Sequence, residues 1–355
     1  MNRLNDLIKR ERLYILLLIF IILVNVVIAA VPDSAKEKAR KLASLESGQP
    51  QKAKTLDDEM LVKRKEMEEK FKEEPGLAMV FGMVSLLIVA VLLLGIFVLG
   101  ALVSVRLSRK KIDIATYVPQ PVKWGILDVA KVAILCLFFG YMVTLTESAL
   151  VRIFSIIKND NFRMVVNSSI LDTLVIVFIL YFAVGQYKEK LASLGISAKN
   201  FSRNVFYGIV GYIAAVPILV AILIITVAVI TALKYMPEKQ PIVELFLKEK
   251  NAPLLIFTTL FAAIAGPVVE ELFFRGFMYN ALKKRAGIIW AMLITAAVFA
   301  GLHAHLVGFL PIMVLGIVLA YLYEKTGTLV SSITVHIMHN LGMVMLVLLT
   351  KMVSA

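Results

Sequence analysis

Six polar groups interrupt the last hundred residues of an otherwise apolar stretch: Glu270, Glu271, Arg275, His303, His336 and Asn340. All four histidines of the chain fall between His303 and His339. Glu270 and Glu271 end a 19-residue uncharged run, Asn251–Val269. An ionisable group at membrane depth is expensive, about 2.5–3.5 kcal/mol for Asp, Lys or Arg at mid-helix, so one retained there is paired, faces a wet cavity, or both. Together the six supply a carboxylate base, imidazoles and an amide. That is the inventory for activating water and cleaving an acyl bond.

Helical spacing divides the roles. Glu271 and Arg275 are i,i+4 and stack one turn apart, so they can neutralise each other. Glu270 lies about 100° further round and is free to face another neighbour. Phe299 and His303 share a face, and Ala300 and Gly301 between them allow close helix approach. His336 and Asn340 share a face, with His339 on the flank. Both can donate hydrogen bonds while neutral, which suits an oxyanion site. Each cluster taken alone also has a plain structural reading: an ion pair with an interfacial glutamate, a packing histidine, and interhelical polar glue worth roughly 0.6 kcal/mol per bond. Other hydrolytic signatures are absent: no His-Glu-x-x-His helix, no Gly-x-Ser-Gly inside a span, no Tyr-Asp with Gly-x-Gly-Asp.

The elements that must carry these groups are membrane helices. Hydrophobic residues make up 60% of the 355, charged residues only 18%, and the mean hydropathy is +0.86. A soluble domain is excluded at that ratio. The net charge of +13 would suggest nucleic acid in a soluble protein. Here the basic residues lie in short loops between apolar runs, where they are an orientation signal, so no nucleic-acid partner is expected. Cys136, the single cysteine, excludes an internal disulfide framework.

Apolar segments long enough to span lie near 13–31, 77–105, 126–148, 169–187, 204–233, 252–271, 288–304, 308–323 and 328–350. The expected fold is an all-α polytopic bundle of about eight or nine transmembrane helices, with Pro217 a bending point in the fifth. Residues 1–31 read as an uncleaved anchor, or as a signal with Ala29-Ala30-Val31 as a small-residue cleavage site. Residues 32–75 carry eleven basic and eleven acidic residues, a solvated extramembrane segment. Residues 76–240 form an N-terminal transmembrane region and 241–355 a catalytic one. Asp128, Lys131, Glu147 and Asp172 are expected near span ends, where snorkelling or interhelical hydrogen bonding accounts for them. The basic loops at 106–123, 188–203 and Lys283-Lys284-Arg285 follow every second span and place the N-terminus in the cytoplasm.

Glu270-Glu271-x-x-x-Arg275, Phe299-x-x-x-His303 and His336-x-x-x-Asn340, the last preceded by Gly327-Thr-Leu-Val-Ser-Ser-Ile, resemble the CAAX-protease and bacteriocin-processing (CPBP, or Abi) family. The resemblance covers about residues 250–345. It implies an intramembrane endopeptidase in which Glu270 activates water with His303, His336 and Asn340 stabilise the oxyanion, and Glu271 and Arg275 orient the site. No metal is the preferred expectation, because no carboxylate is evident to back either histidine. The alternative is zinc held by Glu270, His303 and His336 with an open position. His305 and His339 are supporting residues. The expected substrate is a membrane peptide or a lipidated protein C-terminus in a bilayer. In a bacterial inner membrane a prenylated chain is a poor candidate, and bacteriocin maturation or immunity a better one. Two rival functions stand beside it, a proton-coupled transporter using Glu270 and His303, and a non-catalytic immunity or scaffold protein of the same fold.

Overall fold

The computed structural model describes residues 10–30, 56–108, 114, 121–154, 159–235 and 240–354. Among them every regular element is a helix. Seven helices are long and apolar enough to cross a membrane, beside the shorter apolar helix Arg12–Val27. The chain is an all-α integral membrane protein.

Helix α1 (Arg12–Ala30) packs on α4 (Ile126–Phe154). Their contact is fixed by Lys131, 2.9 Å from Glu11. Asp128 joins this cluster, accepting from the Tyr187 hydroxyl at 2.7 Å. Residues 32–55 lie outside the described residues, as do Val31 of the candidate cleavage site and most of the 109–120 loop. The remainder of the charged segment is helical, α2 (Leu56–Glu73), and Pro75 opens α3 (Pro75–Leu107) directly after it. Proline suits a first helical turn, where its missing N–H is not needed.

Helix α5 (Asp160–Leu180) begins nine residues before the expected segment 169–187. The reason is a cap that the apolar count does not register: Asn159 accepts a hydrogen bond from Phe162 N at 3.0 Å. The added turns are polar because they have partners, with Arg163 2.7 Å from Glu147 and Asn161 2.8 Å from Glu249. A π-turn (Tyr181–Gln186) extends α5 to a 27-residue span, Asp160–Gln186. Asp172 therefore sits at the middle of a span, not near its end.

Helix α6 (Phe201–Ala232) keeps Pro217 inside it and packs on α3. Gly95 of α3 is where they touch, its α-hydrogen face pressed against the Pro217 ring and the Ile213 carbonyl. The short α7 (Pro241–Lys248) leads to Glu249, which organises one end of the bundle. Its carboxylate accepts from Asn161, Asn159 (3.4 Å), Lys250 N (3.0 Å) and Asn251 N (2.9 Å). Its backbone carbonyl accepts from Lys351. These bonds, the Asn161 amide first, hold the Glu249 carboxyl down at about 2.

From Ala252 to Leu302 helical pieces follow one another without an intervening loop, interrupted by a backbone break at Gly287. They comprise α8 (Ala252–Leu260), a π-turn (Phe261–Ala265), α9 (Gly266–Glu271), a second π segment (Leu272–Tyr279) and α10 (Asn280–Leu302). The segment expected at 252–271 runs on as far as residue 286, and a break at Gly287, where φ is 76° and ψ 177°, separates it from the one expected at 288–304. Only glycine takes that conformation cheaply. Helices α11 (Leu306–Thr326) and α12 (Leu329–Ser354) follow, separated by Gly327 at φ 73°. Leu329 N and the Thr328 hydroxyl both bond the Gly195 carbonyl, which fixes where α12 starts.

Candidate active site

The carboxylate pair sits on a short α-helical piece between two π segments. A π-turn adds a residue to a turn and frees a carbonyl, and such turns concentrate at functional sites. Here the Ala262 carbonyl accepts from Asn340 Nδ2 at 3.0 Å. The same irregularity thus ties α12 to the helix bearing Glu270.

Glu271 and Arg275 are fully buried and 2.6 Å apart. The guanidinium also donates to the Gly316 carbonyl at 3.0 Å and lies over the Phe299 ring, 4.8 Å from its centroid. Breaking a buried pair of this kind costs about 3–5 kcal/mol, because the survivor is left charged without compensation.

His336 lies between the two glutamates. Its Nδ1 is 3.0 Å from Glu271 Oε1, and its Nε2 is 3.4 Å from Glu270 Oε2. The expectation that no carboxylate backs either histidine is overturned for His336: Glu271 does so, through a contact 65 residues apart in sequence that no local spacing reveals. The ring orientation follows. Glu271, paired to Arg275, accepts only, so Nδ1 carries the proton donated to it. The neutral ring then presents a lone pair at Nε2. A donor at Nε2 exists only on the imidazolium, a condition the sequence does not disclose.

Glu270 differs from its neighbour. Its side chain is 36% exposed, against 0% for Glu271 and 2% for His336. His303 caps the C-terminus of α10, with Nδ1 2.8 Å from the Phe299 carbonyl, leaving Nε2 outward. The Phe299 ring, itself buried, stands edge-on to both imidazoles, at 4.8 Å from His303 and 5.6 Å from His336. The structure therefore brings Glu270, Glu271, Arg275 and His336 into direct contact, with His303 joined to them through Phe299. Asn340 is one turn beyond His336 and engaged with Ala262. His305 stands apart as the N-cap of α11, accepting from Gly308 N at 3.0 Å, and His339 packs edge-on to Tyr212.

Among the described residues no three His, Cys, Asp or Glu side chains converge as a metal site would require. Glu270, His303 and His336 as placed do not fit a zinc ion, since His303 meets the others only through a phenyl ring.

One group missed in the sequence belongs to the same region. Asp172 is partly buried on α5, the helix that packs against α9, which bears Glu270. Its signal was the helix cap at Asn159, which moves the start of the helix and brings Asp172 towards the middle of Asp160–Gln186.

Residues 252–342 match a family model described as type II CAAX prenyl endopeptidase Rce1-like. A protein of Bacillus subtilis (strain 168) described as "Putative membrane peptidase YdiL" is 33% identical over 88 residues, 25% of this chain and 35% of that relative. The chain thus spans about a third of the relative's length. No solved structure matches. The segment similar to the Rce1-like family model is the one that carries Glu270, His303 and His336.

Proposed function

We propose that this chain is an intramembrane endopeptidase that cleaves a membrane-associated or lipidated peptide with water activated by Glu270. The observation that carries the reading is the asymmetry of the two glutamates. Glu271 is sealed and neutralised by Arg275, whereas Glu270 is partly exposed and 3.4 Å from an imidazole. One carboxylate is spent on structure and the other is available as a base.

In this reading water sits between Glu270 and His303. Glu270 takes a proton as the water oxygen attacks the scissile carbonyl. His336, protonated at Nε2 and with its second N–H held by Glu271, donates to the developing oxyanion, and the free amide hydrogen of Asn340 adds a second donor. The leaving nitrogen then takes the proton from Glu270. A general base of this kind contributes about 10²–10⁴-fold. No step is routed through a metal, a reading supported by the absence of three gathered His, Cys, Asp or Glu side chains among the described residues. The N-terminus lies in the cytoplasm in the orientation the basic loops favour.

The test is cleavage of a membrane-peptide library by the full chain in detergent, comparing wild type with His303→Ala and His336→Ala, with and without a chelator. Both variants are expected to lose most turnover, and the chelator to have no effect. Loss of activity on chelation would overturn the metal-free mechanism. Proton-coupled uptake into liposomes in place of cleavage would favour the transporter.

A further inference from the structure

Glu271 is sealed from solvent, and its two carboxylate oxygens are unequally served. Oε1 accepts twice, from Arg275 Nη1 at 2.6 Å and from His336 Nδ1 at 3.0 Å. Oε2 is buried and has no hydrogen-bond partner among the described residues. A charged oxygen left so is costly, and it calls for a donor close by. Arg275 has little left to offer: Nη1 is on Oε1 and Nη2 donates to the Gly316 carbonyl at 3.0 Å. Its Nε–H is also buried and unpaired, so the ion pair does not bring that group onto Oε2.

The next donor is on α12. Ser332 belongs to the Gly327-Thr-Leu-Val-Ser-Ser-Ile stretch, whose hydroxyls the mechanism leaves unused. It is fully buried and lies four residues before His336, one turn away on the same face. Its hydroxyl is within hydrogen-bond reach of the Glu271 carboxylate. As placed it donates to the Leu329 carbonyl at 3.1 Å, three residues back. That carbonyl is already served by the helical ladder, and a bond to a carboxylate is roughly twice as strong as a neutral one. Rotation about one side-chain torsion exchanges the weaker bond for the stronger. Ser331, also fully buried, is about 100° round the helix, and its hydroxyl pairs with that of Thr326 at 2.7 Å.

Resting on the endopeptidase reading above, we infer that Ser332 is a positioning residue of the site, its hydroxyl donating to Glu271 Oε2 and holding that carboxylate square to His336. Arg275, His336 and Ser332 then fix Glu271 together. A carboxylate held this way keeps the proton of His336 at Nδ1 and the lone pair of Nε2 towards Glu270. Without the hydroxyl the carboxylate is anchored at Oε1 alone, and the tautomer of His336 becomes variable. Ser332 reaches the reacting atoms only through Glu271 and His336, so its effect falls on turnover and not on substrate binding.

The experiment measures kcat and KM of the full chain in detergent on the best-cleaved peptide of the membrane-peptide library, for wild type, Ser332→Ala, Ser332→Thr and Ser332→Val. Threonine and valine are nearly isosteric, so crowding at this buried position is common to both and only the hydroxyl differs. Ser332→Ala is expected to lower kcat about tenfold with KM unchanged, and Ser332→Thr to exceed Ser332→Val by a similar factor. The tautomer of His336 is read in parallel by nitrogen NMR of the histidine-labelled full chain, its signal assigned by its loss in His336→Ala. A single Nδ1–H form is expected in wild type and a mixture in Ser332→Ala. A purely structural role would lower Ser332→Thr and Ser332→Val together and leave the tautomer alone. Active Ser332→Thr and Ser332→Val with equal kcat overturn the inference while the endopeptidase reading stands. So does a tautomer unchanged in Ser332→Ala, as when Arg275 Nε serves Oε2 instead. Should crowding silence both larger variants, the tautomer in Ser332→Ala decides. If wild type cleaves no peptide, the endopeptidase reading falls, and the tautomer alone decides whether Ser332 orients His336.

Discussion

His336 Nδ1 lies 3.0 Å from Glu271 Oε1, and this contact sets the chemistry of the opposite ring nitrogen. With Nδ1–H committed to a carboxylate already held by Arg275, Nε2 can only face the site, 3.4 Å from Glu270. The orienting pair and the reactive pair are thus joined through one imidazole.

The buried ion pair is expected to behave asymmetrically. Arg275→Met strands Glu271 in a site with no solvent access, and should cost about 3–5 kcal/mol of stability. The double variant Glu271→Met, Arg275→Met removes both charges and should recover most of that loss, yet His336 then loses its partner and turnover stays low. Thermal unfolding in detergent beside a cleavage assay separates the two effects. A double variant that is both stable and fully active would show that the pair does not orient His336.

Helix α12 carries His336 and Asn340, and its distance from α6 is set at Gly208. A Cβ there would stand 2.6 Å from Thr334 Cβ and 2.7 Å from the Ser331 carbonyl, both on α12. Gly208→Ala must push the helices apart by some tenths of an ångström. The expected result is a lower unfolding temperature together with a turnover loss of about tenfold or more, as displaced catalytic groups typically produce. Gly82→Ala on α3, where a Cβ meets nothing within 4 Å, is the matched control and should change neither.

Glu249 makes stability depend on acid. Its folded pKa of about 2 lies below the ordinary glutamate value of about 4.3, so in between the unfolded chain binds more protons than the folded one. Stability from this group is present in full above about pH 4.3 and is lost as pH falls towards 2. Glu249→Gln should be less stable than wild type at neutral pH, with the difference shrinking on acidification. Unfolding temperatures of both proteins across that range give the answer; a difference independent of pH would contradict it.

Phe299 touches both imidazoles, so its size should matter more to rate than to fold. Phe299→Leu keeps an apolar group but removes the ring edge at 4.8 Å from His303 and 5.6 Å from His336. Turnover is expected to fall with the cost in stability held to about 1–3 kcal/mol, as for partial core truncation. Unchanged turnover would mean that His303 is not positioned through this ring.

Helices were legible because the bilayer demands long apolar runs, and Leu13–Val31, 77–105 and 204–233 declare themselves by length alone. The i,i+4 pairing of Glu271 with Arg275 was legible for the same reason that helices are regular. What lay beyond the sequence was whatever depends on irregular backbone or on distant partners. The π-turns around Glu270-Glu271 have no composition signal, and neither has the reach of His336 to Glu271. The start of α5 was misplaced because its first turns are polar, their cost offset by Glu147 on α4 and by Glu249 just after α7. That error concealed Asp172.

The central claim is that Glu270 is the base. Glu270→Gln keeps the shape of the side chain and its place beside His336 while removing the ability to take a proton. In reconstituted full-length protein it is expected to lower peptide cleavage by about 10²–10⁴-fold with the unfolding temperature preserved. Equal cleavage by wild type and Glu270→Gln would contradict the account.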